Sequence, residues 1–301
     1  MTTTNRPDNL LAKYKNGNAT VQLLQDGTRI IEYDGDLDLE YPLNVDVRVS
    51  SKCTFGMNPK TGKAVCSFCH ESATTDGSGG LVFDLGERLE ELPVGTEIAI
   101  GANQIDWSFT ALLSRLRGRV LNLTVNQGHL SRELLKLKML IEHNYIRGLG
   151  VSYRPEMAPI PQEILDYPNT VVHVIAGIDD IHEVERLASI GVKKLLVLGE
   201  KDFGFNQGKV DLQSHKHRFW QMYLHRLFEL FEVVSFDNLA VEQLRVARFV
   251  PQHQWDEIYQ GEHSMYINAV DGTYSRSSRS PEKVQWNMGI KEYFQGLKKL
   301  A

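Results

Sequence analysis

Residues 44–53 read Asn44-Val-Asp-Val-Arg-Val-Ser-Ser-Lys-Cys53: apolar and polar side chains alternate, then lead straight into the first cysteine. A period of two marks a strand with one buried face. Two further cysteines follow in Cys66-Ser-Phe-Cys69, and the 301-residue chain has no others. The spacing is C-x12-C-x2-C. The close pair lets two sulfurs converge on one metal, while Gly56, Pro59 and Gly62 let the long gap turn back and deliver the third. Three thiolates suit an iron–sulfur cluster that keeps one iron open for a substrate or cofactor. Zinc competes: Cys53, Cys66, Cys69 and His70 would complete a Cys3His set, although adjacent Cys69 and His70 strain that geometry. A disulfide would leave an odd thiol. On spacing alone, cluster and zinc both stay open.

Outward from this stretch, strand and helix patterns alternate. Strands are expected at residues 97–101, 120–126, 149–153, 171–177, 194–198 and 233–236. Between them lie helical stripes such as Phe109, Leu112, Leu113 and Leu116, spaced i, i+3, i+4, i+7. Ser131 is expected to cap a helix carrying Leu134, Leu137 and Ile141. Asp180 with Glu183 forms a capping box, and Gly191 ends that helix. A long helix is expected near residues 212–231, and a further strand of unassigned direction at 265–270. Strands joined by helices imply a parallel sheet with right-handed crossovers. The expected fold class is α/β: a partial or complete (β/α) TIM-like barrel with an N-terminal β-hairpin and a C-terminal extension. The hairpin pairs residues 19–24 with 28–33 around Gln25-Asp-Gly27. The division is residues 1–43 as appendage, 44–240 as barrel core and 241–301 as extension. Chemistry in a barrel belongs at the C-terminal strand ends, where the cysteine loop also falls.

Composition excludes several classes. A formal charge of −5, with 24% charged and 42% hydrophobic residues, leaves no electrostatic footprint for general nucleic-acid binding. Arg115, Arg117 and Arg119 read as the solvated end of a helix. The N-terminal Met-Thr-Thr-Thr-Asn has no apolar core for a signal peptide or anchor, and no stretch is apolar for long enough to span a bilayer. A cytoplasmic location, where thiolates stay reduced, is the expectation.

A three-cysteine loop after the first barrel strand, with aromatic Phe68 before the last cysteine, resembles the radical S-adenosylmethionine (SAM) superfamily. That family usually spaces its cysteines C-x3-C-x-aromatic-C. The second half of the pattern stands here and the first gap is lengthened, as in some members. The resemblance implies a [4Fe–4S] cluster on Cys53, Cys66 and Cys69 whose fourth iron chelates SAM. Reductive cleavage of SAM would then give a 5′-deoxyadenosyl radical that abstracts hydrogen from a substrate. It also implies an electron donor such as flavodoxin or ferredoxin.

The family's second strand usually ends in Gly-Gly-Glu; Gly101, Ala102 and Asn103 hold that place without the Glu. Its fifth-strand pattern Gly-x-Ile-x-Gly-x-x-Glu corresponds to His173-Val-Ile175-Ala-Gly177-Ile-Asp-Asp180, with Ile175 against adenine and Gly177 permitting close approach. Ser152 follows as a SAM contact and Leu198 as a neighbour of adenine. SAM would fill the sector near strands one, two, four and five. The free sector carries Glu200, Lys201, Asp202, Asp237 and Asn238, and Lys201 and Asp237 are the candidate catalytic residues for an unidentified small or polar substrate.

Asn126, Gln127 and His129 follow the third strand and are further pocket candidates. Residues 274–281 form a basic segment that either closes over the site or lies exposed. Two other classes remain: a zinc-stabilised binding protein, and a metal-independent barrel hydrolase or lyase using Asp202 and Asp237.

Overall fold

The computed structural model describes residues 9–58, 60–249, 251 and 263–298. The N-terminal segment is a three-stranded antiparallel sheet of β1 (Leu10–Asn16), β2 (Ala19–Leu24) and β3 (Arg29–Glu32). The expected hairpin is its second half. β1 adds a strand beyond the expected hairpin, and it pairs with β2 through the Gly17-Asn18 turn. Ala19, Val21, Leu39, Leu43 and Phe294 form a small core of their own beneath this sheet.

The main sheet has ten strands. Seven parallel ones run in sequence order: β4 (Asn44–Arg48), β5 (Glu97–Gly101), β6 (Val120–Asn126), β7 (Gly148–Ser152), β8 (Thr170–Ile175), β9 (Lys194–Leu198) and β10 (Val233–Phe236). On the other side of β4 lies β11 (Ser264–Asn268), also parallel, then β12 (Thr273–Ser275) and β13 (Val284–Gln285), both antiparallel to their neighbours. The outer strands β10 and β13 do not pair with each other, so this is a partial (β/α) barrel. β11 has the direction that the sequence left open, and its partner lies more than 200 residues away along the chain. No helix among the described residues is long and apolar enough to cross a membrane.

Side-chain alternation decides which face does what. Val45, Val47, Ile98, Ile100, Leu121, Leu123 and Val125 point outward into the core beneath the helices. Those helices are α1 (Val82–Glu90), α2 (Trp107–Arg115), α3 (Gln127–Glu142), α4 (Gln162–Leu165), α5 (Ile181–Arg186), α6 (His215–Leu230) and α7 (Asn238–Leu244), with α8 (Ile290–Lys298) after β13. The stripe on α2 is buried as its spacing requires, with Phe109, Leu112 and Leu113 at 3% exposure or less. Each such side chain contributes roughly 1.5–3 kcal/mol. The alternate strand residues, Asp46, Arg48, Asn122, Thr124 and His173 among them, face the concave interior.

Two local readings change. α3 begins directly at the end of β6 and is capped by Asn126, whose side chain accepts from His129 N–H at 2.8 Å. Ser131 sits inside the helix, its hydroxyl donating to Gln127 O at 3.0 Å. Asparagine at a strand end can adopt the extended cap conformation, so the helix starts a turn earlier than the serine suggests. The basic segment 274–281 is not wholly exposed: Tyr274 is fully buried on β12, and further along Ser278 Oγ lies 3.1 Å from Lys201 Nζ at the mouth.

Candidate functional site

The cysteine loop is fixed at both ends by backbone bonds. Cys53 N–H donates to Thr74 O at 2.7 Å, and Thr54 N–H to Asn103 O, at the end of β5, at 3.4 Å. Cys69 N–H donates to Cys66 O at 3.0 Å, closing a tight turn around Phe68. The segment after β9 grips that turn from above: Phe205 N–H donates to Cys69 O at 2.9 Å. The approach requires Gly204, which has a φ of +65°; a Cβ there would lie 2.3 Å from His70 O.

Below the turn, a cavity of about 1000 Å³, counting its open mouth, occupies the C-terminal ends of the strands. Cys66, Cys69, Gly101, Ala102, Asn103, Ser152, Ile175, Leu198 and Lys201 all line it. Asn126 and His129 line it too, from the start of α3. Six expected residues stand outside this lining, Gln127 and Asn238 among them. Cys53 is buried and does not line the cavity. Gly177 turns at a φ of +89°, but the space its missing side chain leaves is filled by His217 Nε2, 2.2 Å from where a Cβ would be, and by Glu200. Asp237 caps α7, accepting from Ala240 N–H at 2.7 Å and Gly199 N–H at 2.9 Å. Asp202 accepts from Gly208 N–H at 2.6 Å. The two carboxylates of the hydrolase reading are thus occupied by backbone donors.

Several contacts were not visible in the sequence pattern. The Arg154 guanidinium lies 4.0 Å over the Phe68 ring and 3.3 Å from Asp179, with both charged side chains buried. Gln127 Oε1 accepts from Arg154 N–H and its amide donates to Ala158 O at 2.9 Å. Burial pushes the Asp179 carboxyl up, against the pull of Arg154 and of Ile175 N–H. The pair therefore serves position more than stability. His129 is buried; its Nε2 meets Thr54 Oγ1 at 2.9 Å, and its ring abuts Phe55 edge-on at 4.7 Å. Burial lowers its pKa to about 4, so this imidazole is neutral. Glu200 holds His217 Nε2 at 3.1 Å and accepts from Asn206 Nδ2 at 3.1 Å. Lys201 Nζ lies 3.1 Å from Ser278 Oγ and 3.4 Å from His70 Nε2. It thereby joins three loops across the mouth.

Among the described residues, no group of three or more His, Cys, Asp or Glu is already arranged to hold a metal, so neither the three-thiolate nor the Cys3His set stands preassembled. The donor chemistry nevertheless fits an iron–sulfur cluster. All three thiols are free. Burial pushes Cys66 up to about 11 and raises Cys53; each would be raised further by a charged Cys69. Three such neighbours are stable as thiolates together only with a cation between them.

The fold and site define a partial (β/α) barrel with a cysteine turn over its mouth. No protein-family model matches the sequence, and no curated protein matches it. Solved structures do match. The crystal structure of Streptococcus suis SuiB bound to S-adenosylmethionine is similar at 13% identity and a TM-score of 0.57, over 85% of this chain and 66% of that one. A second crystal structure of SuiB from the same organism gives 11% identity and a TM-score of 0.61, over 95% of this chain and 87% of that one. At such identity the likeness is one of fold.

Proposed function

We propose that the chain is a radical SAM enzyme. The observation that carries this reading is the convergence of Cys66, Cys69, Gly101–Asn103, Ser152, Ile175 and Leu198 on one cavity. The fold likeness to a SAM-bound protein supports it. Cys53, Cys66 and Cys69 would hold the [4Fe–4S] cluster. Given an electron from a flavodoxin- or ferredoxin-type donor, cluster and bound SAM would supply the radical chemistry, a 5′-deoxyadenosyl radical able to take hydrogen from the substrate.

The chain's own residues bind, orient and enclose. Gly101 leaves the wall open where a side chain would intrude, since nothing lies within 4 Å of its Cβ position. Ile175 and Leu198 offer an apolar surface to a nucleoside base, and Ser152 a hydroxyl. Arg154 holds Phe68, and with it the Cys66–Cys69 turn, over the strand ends. The segment after β9, seated on Cys69 O, covers the mouth and keeps water from the reacting groups. Lys201 and Glu200 face the remaining sector, where a polar substrate would lie.

Anaerobic reconstitution tests the reading. It should load about four irons per chain, and Cys66→Ala should abolish the resulting visible absorption. With reductant, the loaded protein should convert SAM to 5′-deoxyadenosine. Stoichiometric zinc without iron uptake would overturn it.

A further inference from the structure

Glu200, two residues beyond β9, lines the cavity although it is only 8% exposed. Its main chain is clasped by Gln243 of α7. Glu200 N–H donates to Gln243 Oε1 at 2.8 Å, and Gln243 Nε2 donates to Glu200 O at 2.9 Å. Gln243 does not line this cavity; with Asp202 and Arg279 it borders a second one, which Glu200 also touches. The carboxylate is held on the first side. Its Oε1 accepts at 3.1 Å from Nδ2 of Asn206, which lines the first cavity and not the second.

Both side-chain partners of that carboxylate are neutral. His217 is 1% exposed, and its Nδ1 is buried with no hydrogen-bond partner among the described residues. A hydrogen on Nδ1 would be a buried donor left unmade, and a protonated ring would add a charge to that cost. The imidazole therefore carries its hydrogen on Nε2 and donates it to Glu200 Oε2 at 3.1 Å. With a donor on each oxygen, Glu200 is held as an ionised acceptor. Among the described residues it forms no ion pair with a lysine or arginine. The two cations that line the cavity are engaged elsewhere, Arg154 with Asp179 and Lys201 with Ser278 and His70. The other lining carboxylate, Glu71, has Asn103 Nδ2 at 2.9 Å and Arg48 Nε at 4.0 Å. Glu200 is thus the lining carboxylate without a cation. Enclosure makes that costly, while two of its four lone-pair sites stay open for a ligand.

Resting on the reading of this cavity as the substrate chamber, we infer that Glu200 anchors a protonated amine of the substrate. The substrate class is one of amino compounds.

Ligand-observed NMR on the full chain at neutral pH tests this with three probes of matched length: pentylamine, neutral 1-pentanol and anionic pentanoate. Pentylamine should bind at least about tenfold more tightly than either, a factor within reach of one charge-assisted contact. That preference should vanish in Glu200→Gln and persist in Asp202→Asn. Equal binding of the three probes to the wild-type chain, or no binding, overturns the inference. A preference that survives in Glu200→Gln overturns it, and its loss in Asp202→Asn would move the amine to the second cavity and do the same. In wild-type crystals soaked with pentylamine, the nitrogen should lie within hydrogen-bond distance of Glu200 Oε1 or Oε2. Its placement elsewhere overturns the inference even if Glu200→Gln fails to fold. Displacement of pentylamine by SAM would put the amine site within the cofactor's own and is equally fatal. Iron uptake is measured separately on the wild-type chain. Its absence would sink the radical SAM reading and leave the amine preference standing, whereas indifference to the amine with normal iron uptake would do the reverse.

Discussion

The Arg154 guanidinium is stacked 4.0 Å above the ring of Phe68, the residue immediately before Cys69. A buried cation at the end of β7 thereby locates the turn that carries two of the three thiols. Removing Arg154 also leaves Asp179, 3.3 Å away, as a buried carboxylate without its cation, held only by Ile175 N–H. Arg154→Ala should lower unfolding free energy by roughly 3–5 kcal/mol, read from the urea midpoint. The double variant Arg154→Met/Asp179→Asn should recover most of that loss while still loading iron poorly. Normal iron loading in the double variant would show that the stacking does not position the cysteine turn.

Stability should fall on mild acidification. Burial holds His129 and His173 near a pKa of about 4, against an ordinary 6.5. The folded state binds these protons less well than the unfolded one, so their contribution is complete above pH 6.5 and is lost as pH falls towards 4. Each histidine accounts for at most roughly 3 kcal/mol. Urea titrations at stepped pH should show the slope, and His129→Gln should remove part of it. An identical slope in His129→Gln and His173→Gln would assign the effect to carboxylates instead.

Two glycines at strand ends should behave oppositely. Gly177→Ala forces a side chain into a φ of +89° and a Cβ to within 2.2 Å of His217 Nε2. It should cost roughly 2–4 kcal/mol. Gly101→Ala meets nothing within 4 Å and should stay within about 0.5 kcal/mol of the parent. The larger Gly101→Val should fold and lose SAM affinity. Unaltered SAM affinity there would remove the end of β5 from the cofactor site.

Lys201 and Asp237, paired by the sequence as catalytic candidates, should also separate. Asp237→Ala removes the cap of α7 and should cost about 1–2 kcal/mol in urea denaturation. Lys201→Met breaks only partly buried contacts to Ser278 and His70 and should cost under about 1 kcal/mol. The reverse order would contradict the capping role of Asp237.

Much of this architecture could be read from local pattern. β5, β6, β9 and β10 have the bounds that alternation and flanking turns suggest, because each is a short apolar run between helices. The pairing of β11 with β4 could not be read, since contacts between distant segments leave no periodicity. The cap of α3 was misplaced because Asn126 and Ser131 are both good caps, and only the path of β6 into the helix decides between them. At the site the clustered thiols were legible from spacing alone, whereas Gly101, Ser152 and Leu198, which line the cavity, were named through the family resemblance. Gly177 and Asp237 were ambiguous because a tight turn and a helix cap need the same residues that a ligand does. Arg154 and His129 act through tertiary neighbours, and of His129 only its place after the third strand was legible.

The bond from Phe205 N–H to Cys69 O, with Gly204 pressed against His70, ties two segments that would otherwise change independently over evolutionary time. A lineage altering residues 200–209 to accept a new compound also alters the seat of Cys69. Diversification of this scaffold is therefore expected to run through the opposite wall, β4 and β11. Apart from Arg48, which donates to Glu71 O at 2.6 Å, the side chains of β4 and of residues 265–268 in β11 are not tied to that seat by a described hydrogen bond.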